Sequence, residues 1–199
     1  MKKTNLMKNI ILASQSPRRV ALLKQMGIDC MVMSANIDES VKPNESPITY
    51  VERLAKKKAL EVLKKLDGQQ ACLPIIAADT TVALGNEIFG KPENDAVAFN
   101  MLKKLSGTTH QVHTAVVLAF NGKIEKALNT TNVQMMCLTD ADIEAFIATG
   151  EHRDKAGSYG IQGLAGSWIK HIEGSYTGVM GLPVHETSLL LNKICKMKV

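Results

Sequence analysis

Short apolar runs and helix-period stretches follow one another along this chain. Residues 9–13 are a brief continuous apolar run and predict a buried strand. Ser16 and Pro17 then supply an N-cap residue and a proline suited to the first helical position, so a helix is expected to about Met26, with Gly27 as its stop. Residues 30–33 predict a second short strand. Ser46 and Pro47 repeat the cap-plus-proline start and open a helix to about Leu66. Its apolar positions Ile48, Val51, Leu54, Ala55, Ala59, Val62, Leu63 and Leu66 keep the helical period. Residues 74–84 form the strongest apolar run and predict a strand, with a turn at Gly85-Asn86 and a short return at 87–89. A helix is expected over about 95–105 and a strand over 110–120. Asn121-Gly122 then marks a hairpin, with its partner strand at about 129–137. Thr139 and Asp142 have the spacing of a capping box, with a shorter acid than usual, before a helix that Gly150 stops. Glycines then crowd: eight of the 14 lie between Gly150 and Gly181, around one more strand at 167–172. A last helix is expected from Gly181-Leu182-Pro183 to about Lys196. Strands alternating with helices, plus one hairpin, predict an α/β fold with a mixed sheet.

Composition changes this picture little. The 199 residues are 45% hydrophobic and 22% charged, an ordinary globular mix. Charge is more informative. Of the 24 Lys+Arg and 19 Asp+Glu, residues 1–30 hold six basic groups and one acid, so residues 31–199 hold 18 of each and are neutral. The whole surplus of +5 sits at the N-terminal end. A nucleic-acid binder needs a broad basic face, and no such face is implied. No apolar run approaches the roughly 20 residues that span a bilayer, and no secretory signal is evident. Cys30, Cys72, Cys137 and Cys195 are scattered without metal-binding spacing, which reads as separate reduced thiols in a cytosolic protein. His110 and His113 are three apart on a predicted strand, so they point to opposite faces and chelate poorly.

Five features could carry chemistry. At Ser14-Gln15-Ser16-Pro17-Arg18-Arg19 a strand delivers a Ser-rich turn into a helix N-terminus, whose unpaired N–H groups favour an anion. Arg18 and Arg19 oppose the helix dipole there, a local conflict that suits a phosphate site, though an exposed helix start could also bear them. Asp79 interrupts the apolar run 74–84, where an unpaired buried charge would cost several kcal/mol. It reads as a base, a metal ligand or a structural cap. Lys58 falls between Val51 and Leu54 on the edge of the apolar arc, unlike Lys56 and Lys57, and Lys91 sits in a Gly-Lys-Pro turn; both could also be ordinary surface lysines. Asp38-Glu39 offers oxygen ligands for Mg²⁺ or Mn²⁺, or a solvated acidic pair. Residues 154–163, rich in Gly with Tyr159 and Gln162, suggest a loop that approaches a ligand closely, or else a flexible surface loop. The chain has neither a dinucleotide-binding fingerprint nor a Walker A loop.

Taken together and in order, these segments resemble the Maf family, the septum-formation-inhibitor-like nucleoside triphosphate pyrophosphatases. The matching stretches are residues 12–19, 53–59, 78–80, 90–92, 105–112, 154–163, 174–176 and 179–183. They cover about residues 9 to 191, and the ordered set is far more specific than any one motif. Thr81 departs from the aliphatic residue expected at its place. Residues 1–8 read as an N-terminal extension before a single Maf-like domain at 9–199.

The resemblance implies an elongated mixed β-sheet flanked by helices, with two lobes around a nucleotide-binding cleft, of the Maf/ITPase-like kind. It implies a cytoplasmic enzyme, dependent on a divalent metal cation (Mg²⁺ or Mn²⁺), that cleaves a nucleoside triphosphate to monophosphate and pyrophosphate. A homodimer is the assembly it suggests, with neither a nucleic-acid nor a membrane partner. Asp79 matches the family's proposed catalytic acceptor. Arg18, Thr80 and Gln162 match positions tied to substrate choice, in the pattern of the dTTP/UTP branch, extending to modified pyrimidine nucleotides. In this reading Lys58 and Lys91 assist catalysis, and Ser14, Ser16, Arg18 and Arg19 hold phosphates. Glu39 joins Asp79 as metal ligand. The Gln162 amide suits the O4 and N3–H edge of uracil or thymine. The alternative is a non-catalytic nucleotide-binding regulator of cell division and septum formation, which would not need the acid pair Asp79 and Glu39.

Overall fold

The computed structural model describes residues 10–68 and 72–197. The extension expected at residues 1–8 lies outside them, as does the side chain of Cys195. Cys30, Cys72 and Cys137 are free thiols.

Central to the sheet is β3 (Ile75–Leu84). It pairs in parallel with β1 (Ile10–Leu12), which in turn pairs in parallel with β2 (Cys30–Val32). On its other side it runs antiparallel to β5 (Thr109–Phe120). A short β4 (Glu87–Phe89) returns beside its end. β5 turns through Asn121 and Gly122 into β6 (Lys123–Met135), and β7 (Ile169–Glu173) closes the far edge. The order β2-β1-β3-β5-β6-β7, with β4 on β3, makes a seven-stranded mixed sheet flanked by helices. This is the α/β architecture expected.

Apart from a one-turn helix at Tyr176–Val179, the helices lie where the sequence periods place them. They are α1 (Pro17–Gln25), α2 (Pro47–Leu63), α3 (Asp95–Leu105), α4 (Asp140–Ala148), α5 (Tyr176–Val179) and α6 (Val184–Met197). Val51, Leu54, Ala55, Ala59 and Val62 bury one stripe of α2. That stripe packs on Ile11, Ala13, Ile75, Ala77, Ala115 and Val117, one face of the sheet. The alternate residues Ile10, Leu12, Ile76, Ala78, Val116 and Leu118 turn to the other face, against Leu22, Leu23, Leu182 and Leu190. Both faces of β3 are therefore covered, and its sequence reads as a continuous apolar run rather than an alternation. Farther along the long strands, Val82, Val112 and Val133 join Leu102, Leu105, Ile143 and Phe146 in a separate core.

Several boundaries differ from expectation. β6 begins at Lys123, next to the turn, not at Asn129. Asn121 (φ 48°) and Gly122 (φ 71°) both adopt left-handed backbone, which aligns the strands immediately. The ladder of β5 then pairs residues 123–128 whatever their polarity. α2 ends at Leu63, and Ser167 and Trp168 belong to a 3-10 turn rather than to β7. The one-turn α5, capped by Ser175, was hidden among the glycines. Pro183 precedes α6 rather than opening it. The Thr139–Asp142 capping box forms as predicted, and His110 and His113 part company as expected: His110 meets Tyr159 and His113 meets Thr130.

Gly157 ties one loop to the rest. It has φ 66°, its N–H donates to the Gly90 carbonyl at 3.1 Å, and an added Cβ would lie 2.9 Å from Val82. Gly157→Ala is expected to cost about 1–3 kcal/mol from backbone strain alone. Urea unfolding checks this, and an unchanged midpoint would contradict it.

Candidate active site

The site grows from the side chains on β3. Asp79 continues the Ile75–Ala77 row, so it faces α2, and it is only 6% exposed. Burial of a carboxylate there demands a cation within reach. α2 provides it: Lys58 lies four residues after Leu54 and three after Ala55, inside the buried stripe. Its ammonium donates to Asp79 Oδ1 at 2.6 Å and pairs with Glu39 Oε1 at 2.7 Å. One lysine thus joins a strand residue to a loop residue.

That loop is held by two α2 residues that sequence reasoning did not single out. The buried Tyr50 donates its hydroxyl to the Glu39 carbonyl at 2.9 Å. Three residues on, Arg53 grips Glu45 with two nitrogens, at 2.5 and 2.6 Å, and donates to the Ser40 carbonyl. The Arg53 pair holds the Glu45 carboxyl down to about 2. Burial, with Asp79 and Glu39 nearby, pushes the Tyr50 hydroxyl up to about 12, so it stays a donor. The i, i+3 spacing of Tyr50 and Arg53 was the available signal. Asp38 is exposed and accepts from the Ser40 N–H, so of the acidic pair only Glu39 meets Lys58.

Thr80 points to the opposite face, where α1 brings Arg19. All three guanidinium nitrogens are engaged: Nη1 donates to Ser14 Oγ (3.0 Å), Nη2 to Thr80 Oγ1 (3.2 Å) and Nε to the Gly181 carbonyl (2.8 Å). Arg18 makes no hydrogen bond or ion pair among the described residues. Successive helical residues point about 100° apart, so only one of the two arginines can turn inward. Ser16 caps the helix with its carbonyl, not its hydroxyl; Ser14 Oγ instead accepts the Ser16 N–H at 3.2 Å. The cap bond expected of the Ser16 hydroxyl is therefore not formed, and no side chain caps the start of α1.

Lys91 is exposed in its turn, near enough to Glu39 to influence it. Gln162 is exposed in the glycine-rich loop. Lys155, also unremarked in the sequence, donates to the Glu151 carbonyl, and the Arg18 charge helps lower its proton affinity after burial. The structure thus forms two hydrogen-bonded groups on opposite faces of β3, Lys58 with Asp79 and Glu39 on one and Arg19 with Thr80 and Ser14 on the other, within electrostatic reach of each other. The side chains of Arg18, Lys91, Ser16 and Gln162 bond to neither.

Charges in the two groups are strongly coupled. Burial pushes the Asp79 carboxyl above its ordinary range, with Lys58 and Arg19 pulling back. Glu39 also feels burial, but the Lys58 bond and the charges of Lys58, Lys91 and Arg19 outweigh it and hold its carboxyl down. Arg19 loses some proton affinity to burial, partly restored by Asp79. Two carboxylates converging on one ammonium have the chemistry of a cation site. Each keeps lone pairs beyond the one given to Lys58, and Mg²⁺ takes one or two such oxygens with phosphate and water as the rest. The residues present therefore fit a divalent ion.

Fold and site together define an α/β protein with a buried acid paired to a lysine and a guanidinium fixed on the opposite face of the same strand. The chain belongs to the family of Maf-like proteins, whose model matches residues 9–194. It is 50% identical over 186 residues to the dTTP/UTP pyrophosphatase of Chromobacterium violaceum, covering 92% of each chain. It is 45% identical over 192 residues to the nucleoside triphosphate pyrophosphatase of Haemophilus ducreyi, covering 94% of this chain and 95% of that one. Among solved structures it is loosely similar to the Staphylococcus aureus Ham1 protein, with TM-score 0.47 and 15% identity over 64% of this chain and 72% of that one.

Lys58→Met keeps the stem and removes the charge. Asp79 holds its proton more tightly folded than unfolded, so its contribution to stability is full at low pH and falls as pH rises from the ordinary aspartate range through its raised folded value. Without Lys58 that fall deepens. The variant is expected to lose about 3–5 kcal/mol at pH 8 and less at pH 5, since lowering the pH favours the neutral carboxyl that needs no cation. Equal losses at both pH values in urea unfolding would refute this account.

Proposed function

We propose that this protein is a nucleoside triphosphate pyrophosphatase that hydrolyses dTTP and UTP to the monophosphate and pyrophosphate. The observation that carries the reading is the buried Asp79 carboxylate paired with Lys58: binding an anion alone would be hindered by that acid, whereas hydrolysis needs an acceptor for the proton of water. The names carried by the relatives favour this reading over a non-catalytic regulator of division, and they supply the pyrimidine nucleotides as substrates. Extension to modified pyrimidine nucleotides follows from the same base-recognition chemistry.

Water attacks the α-phosphorus, the bond from that phosphorus to the bridging oxygen of the β-phosphate breaks, and pyrophosphate leaves. Asp79 is assigned the water's proton, its proton affinity raised by burial and its orientation set by Lys58. A triphosphate brings about four negative charges, so electrostatic neutralisation dominates the barrier. Arg18 and Lys91 have no protein partner among the described residues and are assigned to phosphate oxygens. Arg19 is fixed behind them and contributes field more than contact. Asp79 and Glu39 would hold Mg²⁺ or Mn²⁺, which when bound supplies further charge neutralisation at the phosphates. Thr80 and the exposed Gln162 are assigned to the base, the Gln162 amide offering both a donor and an acceptor to a pyrimidine edge.

No helix among the described residues is long and apolar enough to cross a membrane. The pools of its proposed substrates lie in the cytoplasm, which is the compartment we assign.

The purified protein, given Mg²⁺ or Mn²⁺, is expected to release pyrophosphate from dTTP and UTP well ahead of purine triphosphates. Release from no triphosphate would defeat the proposal. Asp79→Asn is expected to lose at least about a hundredfold in kcat while staying folded, and turnover near that of the unaltered protein would remove Asp79 from its role.

A further inference from the structure

Thr114 lies on β5 directly opposite Thr80 and is completely buried. Its hydroxyl donates to the Gly178 carbonyl at 2.8 Å, since a carbonyl can only accept. Thr114 has one proton, and that bond uses it. The 3.0 Å contact between the Thr80 and Thr114 hydroxyls must therefore have Thr80 as donor. Thr80 in turn accepts from Arg19 Nη2, because a guanidinium only donates. Every proton in the row is assigned: Arg19 to Thr80, Thr80 to Thr114, Thr114 to Gly178. The row closes on itself, because the Gly181 N–H donates to the same Gly178 carbonyl at 3.0 Å and the Gly181 carbonyl accepts Arg19 Nε.

We propose that Thr114 is a positioning residue for the reaction, its hydroxyl setting the direction of the hydrogen-bond ring that fixes the Arg19 guanidinium. Thr114 cannot touch substrate from its place in the sheet. It acts through Thr80, whose proton it takes. Thr80 consequently offers a ligand only a lone pair, so it can accept from a base N–H but cannot donate to a phosphate oxygen. Phosphate is then left to the cations, and Thr80 discriminates at the base. Without Thr114 the Thr80 proton is released, its hydroxyl turns, and one of the three Arg19 bonds loses its fixed acceptor. The kinetic consequence rests on the pyrophosphatase reading; the ring itself does not.

The test separates the two. Thr114→Val keeps the shape and removes the hydroxyl. Gly178 keeps one partner, the Gly181 N–H, so no buried carbonyl is orphaned. The Arg19 Nε–H, observed by ¹H–¹⁵N NMR, is expected to exchange with solvent faster in Thr114→Val and at the unaltered rate in Thr114→Ser. With dTTP the valine variant is expected to show KM raised about tenfold, the scale of one charge-assisted hydrogen bond, and kcat changed less than about twofold. The serine variant restores both. If the valine variant fails to fold, Thr80→Val cuts the row one link earlier and is read by the same NMR signal. An unchanged Arg19 exchange rate overturns the ring whether or not the protein turns over nucleotide. Faster exchange with an unchanged KM overturns the role in the reaction. A protein that hydrolyses no triphosphate defeats the pyrophosphatase reading, and with it that role, while the exchange rates still decide the ring.

Discussion

Asp79 sits mid-strand in an apolar row, and the ion pair with Lys58 is what lets its charged form exist there. A carboxylate at 6% exposure has lost most of its water, and an unpaired charge in that place would cost more than a small domain can absorb. The pair forces α2 to lie across β3 at one register, because Lys58 has to reach Asp79 while Leu54, Ala55 and Ala59 fill the same face. Glu39 then shares the ammonium, so the loop before α2 is drawn over the site. Tyr50 and Arg53 secure that loop from the same helix. One helix thus supplies the counter-charge, the hydrophobic cover and the loop anchors.

The two arginines of α1 divide the work. Arg19 is held by three acceptors from three separate segments and gives the site a fixed positive charge that costs nothing to orient when an anion arrives. Arg18, turned away from those acceptors by the helical pitch, has no such ties. A fixed cation tunes a neighbouring acid, whereas an untied one is left for the phosphates of the proposed substrate. The same contrast separates Lys58, which is half-buried and paired, from Lys91, which is exposed in a turn.

Much of this was legible beforehand. The order of strands and helices follows from hydrophobic period and from caps, and the Thr139–Asp142 box formed as its spacing required. Lys58 stood out because it alone of three lysines falls at the edge of the apolar arc, and Asp79 because it breaks an apolar run. Less visible was what depends on pairing. β6 was read too short because its first residues are polar, yet β5 presents backbone donors and acceptors regardless of side chain. α5 is a single turn, below the length at which a period can be recognised. Ser16 is the expected cap in sequence, yet its hydroxyl makes no cap bond, and the Arg19 guanidinium is held by Ser14 instead.

Local chemistry in the chain determined the element types, the apolar faces, the acid that needed a partner and the motif set that marks the family. Those properties depend on residues within a few positions of each other. The tertiary structure decided which cation answers Asp79, which arginine turns inward and which way the protons of Thr80 and Thr114 point. Each of these is settled by groups distant in the chain, such as Lys58 with Asp79 or Arg19 with Gly181. A hydrogen bond's direction depends on every acceptor within reach, and those acceptors share no neighbourhood until the sheet and its helices have closed around them.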